Sequence, residues 1–473
     1  MHQGNRFTML TLAGALAACG VDGPTQPESI HAPAWSVASD IPITYLVTFR
    51  KNAIPGDFEI TVAGLGGSVT MTQPLIGMAT VVGIGATAAV SLAQRVDIEA
   101  VEPEGAFSVM PSLGLPVEAV PDAEPVSSIA SPGNPAIAAV FARQWHLRAI
   151  HANVAWAAGK LGSPNVTVAI LDTGIDPTHA DLNGRVDLSR SVSFIPSDDA
   201  LVNTFFPGSH SVTDLHYHGS HIAATISSNA VAAAGVTSTV RLFGVKVCNV
   251  NGSCPTSAVL NGILHAASNG AHVANLSLAG PFAKSATKGL VSLINRVMSY
   301  AQRQGLLLVV AAGNAPPNSQ PFDLDHDGNL FHTYCNSFNV VCVAATGPTS
   351  GGTVGPWLNP DNWATYSNYG RSAVSVAAPG GTNGGLVWAA CSRTSLQIPA
   401  CQGGSFVLGL GGTSMATPHA SGVAALLVER YGRNPQTVRS KLQQTADDIN
   451  LPGTDPFSGK GRVNAARAAG VID

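Results

Sequence analysis

From Gln144 onward the chain reads as an α/β domain: a doubly wound, mostly parallel sheet with helices on both faces, preceded by a small α+β domain over 41–105. Two observations predict this. Six apolar runs recur with helical stretches between them: "VTVAIL" (166–171), "VRLFGVKV" (240–247), "VANLSL" (273–278), "LLLVVAA" (306–312), "NVVCVAA" (339–345) and "VSVAA" (374–378). Strands that are apolar throughout, rather than alternating, belong to a sheet covered on both faces, and strand–helix alternation makes that sheet parallel. The second observation is a separate pattern in 41–105. There "ITYLVTF" reads as a strand, "GGSVTMTQPLIGMATVVG" as a hairpin, "ATAAVSLAQR" as a helix and "VDIEAVEPEG" as a closing strand.

The elements before and between these follow in order. The N-terminus carries one basic residue, Arg6, then twelve apolar-type positions over 7–18. That is too short to span a bilayer, so 1–18 is expected to be a secretory signal. The run closes in "LAAC", similar to a bacterial lipoprotein signal, which implies lipidation of Cys19 and a membrane contact through that lipid. A polar, Pro-containing tether is expected over 19–40 and an exposed, cleavable linker, rich in Pro, Ala and Ser, over 106–143. Six cysteines remain besides Cys19, as near neighbours: Cys248 and Cys254, Cys335 and Cys342, Cys391 and Cys401. Export favours oxidation, and local pairing is the expected connectivity. Charged residues are only 11%, the net charge is −4 and no basic block occurs, so nucleic acid is not an expected partner.

Four polar residues interrupt the apolar pattern at places where chemistry would sit. Asp172 ends the first strand, and a carboxylate after six apolar residues needs a partner if buried. His218 precedes a glycine at the start of a helical run. Asn314 ends "LLLVVAAGN". Ser414 lies in "GLGGTSMATPHASGVAALL" (409–427), where glycines clear space for a close approach and a helix begins. A helix start offers unpaired N–H groups and partial positive charge to an anion. Pro418 places that start close to Ser414. A serine hydroxyl needs an imidazole to take its proton, and the imidazole needs a carboxylate to orient it. The Asn314 amide and the Ser414 N–H could then hold an oxyanion.

The order Asp172, His218, Asn314, Ser414 and the blocks around these residues resemble the subtilisin-like serine peptidases, and within them the proteinase K-like branch. The matching blocks are "DTGID" (172–176), "HGSHIA" (218–223), "LSLAGP" (276–281), "AAGN" (311–314) and "GTSMATPH" (412–419), supported by "YSNYG", "VAAPG" and "GRVNA". The resemblance implies an exported serine endopeptidase acting on proteins or peptides through an acyl-enzyme, without a cofactor for catalysis and monomeric when mature. It implies that Ser277, Leu278, Ala279 and Gly280, with Ala311, Ala312 and Gly313, bind substrate. It further implies that 41–105 is an inhibitor-like propeptide, removed by a cut in the linker, after which the mature enzyme is extracellular. Three departures stand out: Ser220 replaces a threonine, Ala224 a glycine, and Ala279 a glycine whose loss is expected to narrow the substrate groove.

Other readings compete. His210, His216, His218 and His221 form a cluster that invites zinc, but no H-E-x-x-H or comparable ligand set accompanies it. His216 and His221 are expected to be structural or solvated. Asp323, Asp325 and Asp327 have Ca2+-loop spacing, although Tyr334 stands where an EF-hand has its closing Glu. A structural Ca2+ and a solvated acidic loop are both open there. Asp176 and Asp181 are ligand candidates by family habit alone. A lipid-anchored binding protein on an inactive scaffold is the remaining alternative.

Overall fold

The computed structural model describes residues 43–109, 117–118 and 133–473, apart from 317, 332 and 333. The expected signal, Cys19, the tether and most of the linker lie outside these residues.

Tyr45–Phe49 (β1), Phe58–Gly64 (α1), Ser68–Gln73 (β2), Met78–Val82 (β3), Ala86–Ala93 (α2) and Ile98–Pro103 (β4) make the small domain. Its antiparallel sheet has the order β2-β3-β1-β4. Alternate residues of a strand face opposite sides, and β1 uses both. Tyr45, Val47 and Phe49 face the domain's own core with Phe58, Val62, Val81 and Leu92, whereas Leu46 joins the core of the large domain with Ile76 and Met78. The hairpin, helix and two strands expected here are all present. Helix α1 was not anticipated: "FEITVAG" has three β-branched residues in succession and buries only Phe58 and Val62.

The linker is less detached than its composition implies. Ala106–Ser108 (β5) and Val117–Glu118 (β6) are strands, and Val140 is buried against Trp388 and Val407. The large domain continues with Trp145–Ala149 (α3), Ala152–Ala157 (α4), Thr167–Asp172 (β7), Val192–Ser193 (β8), Pro196–Phe205 (α5), His218–Ile226 (α6), Arg241–Lys246 (β9), Ser253–Pro255 (β10), Thr256–Ser268 (α7) and Val273–Leu276 (β11). Then come Phe282–Ala283 (β12), Lys288–Arg303 (α8), Leu307–Ala311 (β13), Leu330–Phe331 (β14), Val340–Thr346 (β15), Val376–Pro379 (β16), Val387–Ala390 (β17), Val407–Leu410 (β18), Thr413–Tyr431 (α9), Pro435–Gln444 (α10) and Ala465–Ala468 (α11). Seven strands form a parallel sheet, β16-β15-β13-β11-β7-β9-β8. Six are the apolar runs; β8, two residues long, carries too little pattern to be seen. Helices α6 and α9 cover one face, α7 and α8 the other. The three disulfides are the expected local pairs, Cys248–Cys254, Cys335–Cys342 and Cys391–Cys401.

Helix α9 runs through the core with residues 413–428 all buried. Pro418 lies within it and cannot donate to the carbonyl four residues back, that of Ser414. The Ser277 hydroxyl donates there instead, at 2.8 Å. Farther along, His419 Nδ1 lies 2.8 Å from the Met415 carbonyl, so Nδ1 carries the hydrogen. Its Nε2 therefore accepts from His146 Nδ1 (2.8 Å), and His146 Nε2 accepts from the Trp388 N–H (3.3 Å). His221 Nε2 donates toward two carbonyls, Val387 and Leu408, at 3.1 Å each. A second proton on His419 or His146 would disrupt an accepted hydrogen bond, and one on His221 Nδ1 would have no partner among the described residues. Burial pushes His419 down to about 4 and His221 to about 3, and holds His146 well below the ordinary histidine value.

The small domain docks through its sheet onto α7 and α8. Glu102 accepts from the N–H groups of Gly289 and Leu290 at the start of α8 (3.0 and 3.1 Å). Glu104 accepts from the Ser257 N–H at the start of α7 (2.8 Å). Arg296 of α8 donates to the carbonyls of Phe49 and Ile76. Helix starts have unpaired N–H groups and favour carboxylates.

Two outcomes follow. Unfolded histidine takes a proton near pH 6.5, and the three core rings resist it until far lower, so between those values the unfolded state holds the extra protons. Stability is therefore whole above about pH 6.5 and falls as the pH is lowered, by up to about 1.4 kcal/mol per pH unit for each ring. The melting temperature of the Ser414→Ala chain, followed from pH 7.5 to 4.5, should drop accordingly, and a flat profile contradicts this. Glu102→Ala should destabilise docking of the small domain by about 1–2 kcal/mol. Denaturant unfolding of the uncleaved Ser414→Ala chain, with and without that change, measures it.

Candidate active site

The order of the parallel sheet turns at β7, with β9 on one side and β11, β13 and β15 on the other. Such a switch point opens a crevice at the carboxyl ends of the strands, and the expected residues lie there. Asp172 is the last residue of β7 and is fully buried. Its Oδ1 accepts from the Thr173 N–H and from His218 Nδ1, both at 2.8 Å. A carboxylate so engaged fixes the imidazole tautomer: the hydrogen is on Nδ1 and the lone pair on Nε2. His218 Nε2 is buried with no hydrogen-bond partner among the described residues.

His218 reaches Asp172 because α6 begins hard against the turn after β7. A Cβ on Gly219 would meet the Gly174 carbonyl oxygen at 2.0 Å. Asp214 ties the same two segments together. It accepts from the Thr173 hydroxyl (2.9 Å), the Ser220 hydroxyl (2.7 Å) and N–H (2.9 Å), and the His216 N–H (3.0 Å). Burial pushes the Asp214 carboxyl up. Ser220 thus retains the hydroxyl bond a threonine would make, and it also accepts from the Asp176 N–H. The reading of the sequence passed over Asp214; its only signal was an acidic residue four positions before His218.

The histidine cluster is not a ligand set. His216 stacks on Tyr217 with ring centroids 4.0 Å apart, and its Nδ1 accepts from the His218 N–H. Burial pushes it down to about 3. His210 Nδ1 accepts from the Val212 N–H, and His221 is in the core. Both His216 and His221 are buried rather than solvated. Among the described residues no group of three or more His, Cys, Asp or Glu side chains is arranged to hold a metal.

Ser414 is the second residue of α9, whose N-cap is Gly412 with a φ of 157°. Its hydroxyl donates to the Ser277 carbonyl at 3.0 Å, not to the imidazole. Beneath it, Asn275 donates to the Ser277 hydroxyl (3.0 Å) and accepts from Ser421 (2.9 Å). These two polar residues looked like ordinary strand and helix positions in the sequence. Asn314 follows Gly313, whose φ of 88° requires a glycine-like turn after β13. The Asn314 Oδ1 accepts from the Thr413 N–H (2.9 Å) and hydroxyl (2.8 Å). Its NH2 is therefore the donor end, and the residue before Ser414 sets its orientation.

Ser277–Gly280 extend from β11 as one wall of a groove. Ser108 and Ala279 exchange both backbone hydrogen bonds (3.0 and 3.1 Å). On its other side β5 pairs antiparallel with β10, with Cys254 opposite Phe107, and the Val109 N–H donates to the Gly252 carbonyl (3.1 Å). The groove thus holds a chain segment as an extra strand. Ala279 does not narrow it against backbone, because a strand side chain projects out of the pairing plane. Phe107 lies between Phe282 and Tyr334, with centroids 4.7 and 4.9 Å away. Ala311, Ala312 and Gly313 are buried or nearly so next to Asn314.

The other acidic candidates are engaged elsewhere. Asp325 accepts from the N–H groups of Ser372 and Ala373, Asp327 from those of Asn329 and Leu330, and Asp323 from Asp325 N–H and His326. Asp181 accepts from three successive N–H groups, Val231, Ala232 and Ala233, and Asp176 from Thr178 and Arg393. The three carboxylates of the 323–327 loop do not fit a shared Ca2+.

Comparison with known proteins agrees with this geometry. The subtilase family model, Peptidase S8, matches residues 163–461. The chain is 34% identical to thermitase of Thermoactinomyces vulgaris over 330 residues, covering 69% of this chain and 95% of that protein. It is 32% identical to subtilisin Savinase of Lederbergia lenta, covering 68% and 97%. Among solved structures, fervidolysin of Fervidobacterium pennivorans, described as a keratinolytic enzyme related to subtilisin, superposes with a TM-score of 0.66 at 24% identity, covering 91% of this chain and 61% of that one. With a buried Asp–His pair, a serine at a helix start and these relatives in agreement, the chain belongs to the subtilase family and is a serine-type endopeptidase.

Proposed function

We propose that this is an exported protease precursor that cleaves peptide bonds through an acyl-enzyme on Ser414 and carries its own inhibitor in residues 43–109. The observation supporting both halves is the segment Ala106–Val109, held as a strand between Ala279 and β10, as an extended peptide substrate would be.

In this reading the Ser414 hydroxyl leaves the Ser277 carbonyl and donates to His218 Nε2, a bond that tightens only when substrate is in place. The oxygen attacks the substrate carbonyl as Nε2 takes the proton, and Asp172 stabilises the imidazolium. The carbonyl pair of electrons moves to oxygen, and that charge is held by the Asn314 NH2 and the backbone at the start of α9. Collapse breaks the C–N bond, with His218 returning the proton to the leaving amine. Water, deprotonated by the same imidazole, then releases the acyl group. Ala311, Ala312 and Gly313 favour an apolar side chain before the scissile bond, and the Phe282–Tyr334 pocket favours an aromatic one where Phe107 lies.

The small domain would act as folding template and temporary inhibitor, since it caps α7 and α8 and fills the groove. Its resemblance to the propeptides of the proteinase K-like branch, and the lipid on Cys19, belong to the same proposal. Maturation between 110 and 143 would then free a monomeric enzyme from the membrane.

Asn314→Ala should lower kcat by about 10²–10³, the usual cost of losing one oxyanion donor. Unchanged kcat removes Asn314 from that role. A fluorophosphonate probe should label the mature chain and fail on Ser414→Ala; a chain that binds peptide but never labels is instead an inactive binding scaffold. N-terminal sequencing of the mature form should begin between residues 110 and 143, with the precursor in the membrane pellet and the product in the supernatant.

A further inference from the structure

Strand β10 has an unusual position in the groove. Among the described residues its strand partner is β5 alone, the segment that a substrate would replace. Without an occupant, no other strand among the described residues holds β10 in register, yet its Gly252 carbonyl and strand backbone form half of the peptide-binding ladder. A three-residue edge of this kind needs another constraint if it is to be ready for substrate.

The Cys248–Cys254 disulfide supplies one. Cys254 is the middle residue of β10, facing Phe107 in register. Cys248 follows β9, and the N–H groups of Val247 and Cys248 both donate to the backbone carbonyl of Asp172 (2.9 and 3.1 Å). The covalent link therefore ties the edge to the strand end that carries the buried carboxylate. The loop between the cysteines closes on itself: Asn249 exchanges backbone bonds with Ser253 and Gly252, and its side chain accepts from the N–H groups of Asn251 and Ser253. The loop closed by Cys391–Cys401 touches it at one point, where Gln397 donates to the Val250 carbonyl (2.9 Å). The neighbouring Leu396 N–H and Ser395 hydroxyl donate instead to the carbonyls of Leu215 (2.8 Å) and His216, just before α6.

We propose that the Cys248–Cys254 bridge is a positioning element for substrate. It holds β10 poised to pair with the residues on the N-terminal side of the scissile bond, and it acts on their binding rather than on the bond-breaking step. This rests on the reading that substrates occupy the groove as Ala106–Val109 do.

The test compares a peptide amide with four residues before its scissile bond, which spans β10, with an ester of a single amino acid, which does not reach it. In mature enzyme carrying Cys248→Ser and Cys254→Ser, the ratio of kcat/KM for the long over the short substrate should fall about tenfold, the order expected for losing one or two ladder hydrogen bonds. The loss should lie in KM of the long substrate. If the double variant does not fold, wild-type enzyme is treated with a dithiol, which takes both sulfurs to thiols as it becomes oxidised. The ratio is then followed against the fraction of Cys248 and Cys254 alkylated, read by mass spectrometry. A ratio that stays constant as the bridge opens, or an equal fall in kcat on both substrates, overturns the proposal. Wild-type enzyme inactive on both substrates would instead overturn the protease reading.

Discussion

A carboxylate buried at the end of a central strand sets the terms for this molecule. Asp172 is fully buried, and its Oδ1 is compensated by the Thr173 N–H and the His218 ring. Leaving a buried charge unpaired would cost several kcal/mol, so the fold must deliver His218 to that point. It does so by pressing α6 against the turn after β7, where only Gly219 fits, and by threading Asp214 between the two segments. The orientation of the imidazole, and therefore its ability to act as a base, follows from how that one charge is accommodated.

Around this pair the structure uses backbone as much as side chain. The groove is two strand edges with a gap between them, and the gap is filled by the chain's own residues 106–109. Main-chain pairing is indifferent to side-chain identity, whereas the packing of Phe107 between Phe282 and Tyr334 is not. The same edges that would bind substrate thus pair with a segment of the chain itself. The carboxylates of Glu102 and Glu104 at two helix starts explain why the small domain sits where it delivers its tail to the groove.

The reading of the sequence recovered six of the seven parallel strands and singled out four polar residues at strand or helix ends, because long apolar strands and polar residues at their ends leave a strong local pattern. It missed β8, β10 and β5, which are two or three residues long and owe their existence to a neighbour. It also took the linker as detached, since Pro, Ala and Ser composition says nothing of a groove waiting for four of its residues. Asp214, Asn275 and Ser421 were invisible for a related reason: a buried polar residue is recognised by its partners, and these include Thr173, 41 positions from Asp214, and Ser421, 146 positions from Asn275.

The sequence by itself determined the fold class, the local disulfide pairs and the residue types that enable hydrolysis, since each is written in short-range pattern or spacing. Only the tertiary structure decided which histidine faces a carboxylate and which are neutral core rings, that the 323–327 acids take separate partners, and that the groove is occupied by the chain's own tail. Those outcomes depend on distances between segments far apart in the chain, and such distances come into being only when the sheet and its covering helices pack.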